Sequence, residues 1–363
     1  MVRRDTRRTK ILGSIGVILC IVAVALITWT LTQQPATPES ITRPKEANET
    51  ININSTENET VVQEVKIGTQ QKILYVLYRT ENLFGIIDGE KNETRKEIAV
   101  GKSPQEMFFD KTTDSMYITN QISNTITVID LKKEEVMQTF KAGNSPEGIV
   151  VTEKNIYVTN PSENTVVVID KKLGFINKEI AVGSDPGPMI LSEDQRKIYV
   201  LNRGSDDITI INTAIDAFID TWFAGDQSEQ LAMSPHERYI YVTSPTGVVT
   251  ILPIRQPREY REMRVGLGAS QIAFSSNNVL SAIANTDENT LSLTSLTREM
   301  LLATIDVGVA PSDVVITADA RTAYVSNSQS NTISIVDLQQ KLRVAEFPVN
   351  KDPQRIMLRE REK

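Results

Sequence analysis

Groups able to move protons or ligate metals are scarce in this chain of 363 residues. His236 is its one histidine, in the segment SPHERYIYV, so any Ser-His-Asp triad would have to be built there. The plainer reading is a solvent-facing turn residue. Cys20 is its one cysteine and lies within an apolar run. Thiol catalysis, Cys-ligated zinc, covalent haem attachment and an intramolecular disulfide therefore find no residues in the rest of the chain. No H-E-x-x-H, Walker, EF-hand or G-x-S-x-G pattern occurs, and no cofactor motif is recognisable. What remains are carboxylates, amides and arginines. Seven short links recur, SPQE, SPEG, DPGP, QSEQ, GASQ, APSD and DPQR, and all but DPGP carry one or two of Glu106, Glu147, Glu229, Gln230, Gln271, Asp313 and Arg355. Arg203 stands on a neighbouring loop. Carboxylates grouped in this way could bind a cation or a sugar, or activate water on a lactone. A solvated acidic rim is the alternative.

These residues are some 40 apart in sequence, so something must gather them. The stretch NIYVTNPSENTVVVID at 155–170 is echoed by SMYITNQISNTITVID at 115–130 and TAYVSNSQSNTISIVD at 322–337. Aligned on the tetrad YVTN, seven copies begin at 75, 117, 157, 199, 241, 282 and 324, spaced 42, 40, 42, 42, 41 and 42 residues apart. Each copy carries four strand signals. In 146–182 these are PEGIVVT, KNIYVTN, NTVVVIDKK and GFINKEIAV. The apolar third run suggests burial on both faces, and the charged, more alternating fourth suggests an outer strand. A four-stranded meander cannot cover both its faces alone. Radial repetition covers them, and a period near 40–45 residues marks a β-propeller.

The expected fold is all-β, a seven-bladed β-propeller over 61–363. The first copy lacks an innermost strand, because Gly68 precedes Tyr75 by only seven residues, and KDPQRIMLR at 351–359 matches the missing pattern. The C-terminal segment is thus expected to close blade 1, with Ile356 and Met357 as apolar channel-side anchors. TVVQEVKIG at 60–68 resembles an outer strand without an obvious place. Recurrence assigns structural roles to the tetrad asparagines (Asn120, Asn160, Asn202, Asn285, Asn327) as turn or capping residues. Asp130, Asp170 and Asp337 are expected to cap the turns after third strands. Arg355 falls between Asp313 and Glu106 in ring order. It is either a seam-locking ion pair or a ligand contact.

The tetrads, the N-T-x-x-V-I-D third strands and the V-G-x-x-P links together resemble the YVTN family of β-propeller repeat proteins, called surface-layer-like and common on archaeal and bacterial cell surfaces. The resemblance covers about four-fifths of the chain. It implies the fold. It implies little chemistry, since the wider family includes sugar-lactone hydrolases and propeller parts of redox enzymes.

The N-terminal region is different in kind. Residues 1–10 carry Arg3, Arg4, Arg7, Arg8 and Lys10 against Asp5, a charge of +4 within a chain of net −7. Ile11–Leu31 is uncharged and long enough to span a bilayer as a helix, with Trp29 near its outer end. This predicts a single-pass anchor with a cytoplasmic basic tail (1–10) and an extracytoplasmic propeller. Residues 32–60 are polar and contain three prolines, the composition of a disordered stalk. Sequons at Asn48, Asn54, Asn58 and Asn92 make glycosylation plausible. The acidic body argues against nucleic acid as a partner. The expected function is non-catalytic binding of an envelope protein, glycan or small ligand. A propeller-lactonase type of hydrolase and a structural surface-layer component are the alternatives.

Overall fold

The computed structural model describes residues 70–362. The expected anchor at 11–31, the stalk at 32–60, the strand-like 60–68 and the sequons Asn48, Asn54 and Asn58 lie outside the described residues. Among the described residues no helix is long and apolar enough to cross a membrane.

The described chain forms seven four-stranded antiparallel sheets, the blades. The innermost strands of blades 1 to 7 are Pro353–Glu362, Pro104–Asp110, Ile149–Val151, Pro186–Leu191, Gln230–Met233, Ala269–Phe274 and Pro311–Ile316. Each contacts the innermost strands of both neighbouring blades, which closes the ring. In blade 1 the strand Pro353–Glu362 pairs antiparallel with Gln70–Tyr78, with Val76 opposite Ile356 and Leu77 opposite Arg355.

Burial follows position within the blade. Second strands are almost wholly buried, as in Ser115–Asn120, and third strands such as Thr125–Asp130 bury their central four residues. The outer strands alternate less than their sequences suggest. Glu135–Lys141 buries Phe140 alone, and Ile98, Ile180, Met263, Ile305 and Phe347 are the corresponding anchors elsewhere. The core is divided into seven clusters, one at each seam between blades. Tyr324, Ile333 and Phe347 of blade 7, for example, pack on Leu74, Val76 and Ile87 of blade 1. A single blade would leave both apolar faces in water, which is why the unit occurs only in a ring. Ile356 belongs to the blade 7–blade 1 cluster and Met357 packs on the blade 1–blade 2 cluster, so both face seams and not the channel.

The recurrent polar residues act as joints. The tetrad asparagines are buried between strands and do not cap turns. Asn120 Nδ2 donates to Thr127 Oγ1 at 2.9 Å, and Asn202, Asn285 and Asn327 bond the matching third-strand hydroxyls. Their carboxamides press on the glycine that follows the outer strand. A Cβ on Gly101 would lie 2.5 Å from Asn120 Cγ, which accounts for the Val-Gly punctuation. The third-strand aspartates do cap turns, as expected. Asp130 Oδ1 accepts from the N–H groups of Lys132 and Lys133, and Asp170 and Asp337 repeat the arrangement.

Candidate functional site

The seven links gather at one mouth of the channel, and their shape has a local cause. The first residue of each link, Ser103, Ser145, Asp185, Gln227, Gly268, Ala310 and Asp352, is left-handed. In five blades its N–H is held by the side chain of a left-handed asparagine in the preceding blade. Asn124 Oδ1, for example, accepts from Ser145 N at 2.9 Å. Asparagine tolerates this conformation better than most residues do. Hydroxyls then tie link to link. Thr119 Oγ1 donates to the Glu147 carbonyl at 2.6 Å and Thr159 Oγ1 to the Gly187 carbonyl at 2.8 Å. Gly148 has to be glycine, because its Cβ would stand 2.2 Å from the Gly187 carbonyl oxygen. The recurrent residues therefore build a rigid collar, and the variable residues project from it.

The variable residues meet in two connected groups. Arg355 is the hub of the first. Its Nε lies 2.9 Å from Glu106 Oε2. The Gln271 carboxamide oxygen, turned toward the guanidinium, accepts from Arg355 Nη2 at 3.0 Å, and the Gln230 carboxamide lies 2.9 Å from it. Asp313 is buried beside this group and accepts from Ile356 N at 2.9 Å and Val314 N at 2.7 Å. Arg203 is the hub of the second, 2.6 Å from Glu147, 3.4 Å from Asp185 and 3.8 Å from Glu229. All eight residues singled out in the sequence thus stand around one mouth. Arg355 is the ion pair that spans the blade 1–blade 2 seam.

Burial and charge compete here. Desolvation pushes the Asp313 carboxyl up to about 7, although Arg355 and the Ile356 N–H oppose the shift. Burial disfavours the Arg355 cation, but Glu106, Asp313 and more distant carboxylates outweigh it and raise its pKa. Arg203 is held up in the same way by Glu147, Asp185 and Glu229 against its own burial.

Two features escaped the sequence reading. Arg79 donates from Nη2 to Gln354 Oε1 at 2.8 Å, has no carboxylate within ion-pair distance among the described residues, and leaves its buried Nε unpartnered. Burial lowers its pKa, with Asp352 opposing. The signal was available: Arg79 follows the blade 1 tetrad as Arg203 follows that of blade 4. Asp185 and Asp352 open their links at left-handed turn positions, where an aspartate is equally well explained by the turn itself. Below the mouth a cavity of about 550 Å³ runs along the inner strands, walled by Phe108, Met189 and Leu231, with Glu106, Gln230 and Gln271 among its polar lining.

The other candidates lie elsewhere. His236 is exposed and left-handed in the turn Pro235–Glu237, away from the links. Asn92 occupies the left-handed position of the turn before Glu93–Ala99 and is partly buried. Among the described residues no group of three or more His, Cys, Asp or Glu is arranged to hold a metal ion.

This chain is a seven-bladed β-propeller with an arginine–carboxylate collar at one mouth. Its fold matches a functionally unknown protein from Desulfotomaculum acetoxidans at TM-score 0.68 and 10% identity, covering 79% of this chain and 98% of that one. It matches a candidate 6-phosphogluconolactonase from Bacteroides fragilis at TM-score 0.67 and 14% identity, covering 82% and 100%. It also matches Kuenenia stuttgartiensis hydrazine synthase at TM-score 0.66 and 16% identity, covering 77% and 99%. At such identities the likeness is one of fold. No protein-family model matches the chain, and no curated protein matches its sequence.

Proposed function

We propose that this is a YVTN-repeat propeller, anchored to the cell membrane through 11–31 with the propeller extracytoplasmic, and that it binds a partner or ligand at the collar without chemically changing it. The observation that carries the binding reading is the composition of the collar. Six carboxylates (Glu106, Glu147, Asp185, Glu229, Asp313, Asp352) surround three guanidiniums (Arg79, Arg203, Arg355). The surplus is negative and outward, since the Asp185 and Glu229 side chains are 51% and 40% exposed. Such a rim favours a ligand that presents a cationic or hydrogen-bond-donating group. Glu106 and Glu147, which could have served as bases, are each held by an arginine.

Calorimetric titration of the full-length protein with lysine-rich and glutamate-rich peptides of equal length tests this. The basic peptide is expected to bind, more weakly at high salt and in Asp185→Asn and Glu229→Gln. Equal binding of both peptides, or binding untouched by these substitutions, overturns the reading. One observation favours a second reading as a hydrolase: Asp313, with its carboxyl near 7, sits at the mouth. Turnover of a sugar lactone that disappears in Asp313→Asn would establish it.

A further inference from the structure

Blade 4 departs from the others on the propeller's flank, at its outer strand Ala217–Phe223. In six blades the outer strand buries one apolar anchor against the third strand. Phe140 opposite Ile126 and Ile180 opposite Val166 are examples. In blade 4 that position, opposite Ile208, is Trp222. The indole packs on Tyr199 with ring centroids 5.5 Å apart and remains partly exposed. Next to it Phe223 is 45% exposed and meets Tyr260, 41% exposed, at 5.4 Å.

Tyr260 comes from the neighbouring blade, on a connection that is itself exceptional. The third and outer strands of blade 5 end at Pro253 and begin at Arg261, leaving seven residues between them, where blades 2 and 4 have four. The longer connection is stiffened by Pro257 and by backbone bonds from Gln256 N to the Pro253 carbonyl and from Glu259 N to the Gln256 carbonyl. Between it and the blade 4 outer strand lies a cleft of about 470 Å³. That is the size of a small-ligand site, roughly 300–1,000 Å³. Planar polar groups stand at its edges. Asp220 is fixed by Trp222 Nε1, which donates to Oδ2 at 2.8 Å. Gln256, Arg258 and Glu259 also line the cleft, and neither Arg258 nor Glu259 has an ion-pair partner among the described residues.

We infer that this cleft is a carbohydrate-binding site, distinct from the collar, that takes a pyranose ring against its aromatic side chains. The apolar face of a pyranose matches an exposed aromatic face, and its vicinal hydroxyls match planar carboxylate, carboxamide and guanidinium groups, which bond two neighbouring oxygens at once. A purely apolar partner surface would leave the Arg258 and Glu259 side chains facing it without ionic partners, which disfavours it.

The test is titration of the full-length protein with glucose, N-acetylglucosamine and oligosaccharides of each, followed by calorimetry and by tryptophan emission. Saturable binding of at least one of these probes is expected, with an emission change that is absent in Trp222→Phe. Tyr260→Ala and Arg258→Ala are expected to weaken binding at least tenfold with an unchanged melting temperature, whereas Glu229→Gln at the collar leaves it intact. No binding of any of these saccharides, or binding indifferent to Tyr260→Ala and Arg258→Ala, overturns the inference. So does binding of a proline-rich peptide in the cleft with no saccharide binding.

Discussion

Arg355 Nε lies 2.9 Å from Glu106 Oε2, and the two side chains are only 15% and 23% exposed. The pair joins the innermost strand of blade 1, supplied by the end of the described chain, to the innermost strand of blade 2. Its guanidinium also bonds the Gln271 carboxamide and faces buried Asp313. One side chain thus ties blades 1, 2, 6 and 7 together at the mouth.

Arg355→Ala is therefore expected to destabilise the ring and to alter binding together. Removing one partner leaves Glu106 and Asp313 without their cation, at a cost of about 3 kcal/mol. Denaturant unfolding of the variant checks this. An unchanged midpoint would show that the pair contributes nothing net.

The pH dependence of stability should report Asp313. Its folded value, about 7, lies above its unfolded value near 3.8. Between these two values the native state holds a proton that the unfolded chain has lost. Its contribution is thus full below about pH 4, declines as pH rises toward 7 and is level above that, with a ceiling of about 4 kcal/mol. The measurement is the unfolding midpoint at pH 5 and pH 8. The wild-type difference should shrink in Asp313→Asn.

Deleting 351–363 removes the innermost strand of blade 1 and with it Ile356, a member of the blade 7–blade 1 core. Burial of a side chain of that size contributes about 1.5–3 kcal/mol, and a whole strand ladder is lost besides. The truncated protein should melt well below the parent in a circular dichroism scan.

Gly101→Ala should cost more than Asn120→Ala. The new Cβ falls 2.5 Å from a buried carboxamide enclosed by strands, whereas truncating Asn120 forfeits bonds to third-strand hydroxyls and leaves Thr127 short of a partner. Thermal melts of the two variants, compared with the parent, give the order.

The fold was legible because seven tetrads recur at nearly constant spacing, and because one blade's missing strand had a matching segment at the other end of the repeats. The collar was legible in part. Recurrence separates residues that hold blades together from those that differ, and that logic found Glu106, Asp313 and Arg355. It misassigned the tetrad asparagines in detail, because burial between strands leaves the same sequence mark as capping. It missed Arg79, whose blade has a degenerate tetrad ending in Tyr78. The flank cleft was hidden for another reason. The longer connection before Arg261 is offset by an outer strand of only four residues, Arg261–Arg264, so the period does not change.

Closure by Pro353–Glu362 on Gln70–Tyr78 also fixes when the molecule can finish folding. Arg79 and Gln354, bonded between neighbouring strand ends of blade 1, are 275 residues apart. During synthesis or export from the N-terminal side, blades 2 to 7 can assemble locally while blade 1 waits with an open inner edge for the last segment to arrive. The longest-range contacts of the ring are thus made last and carry the greatest loop-closure entropy. Until then an unpaired strand edge is presented to other chains. The clasp gives the finished ring its continuity, and the wait for it is the interval in which the nascent protein is most exposed to mispairing.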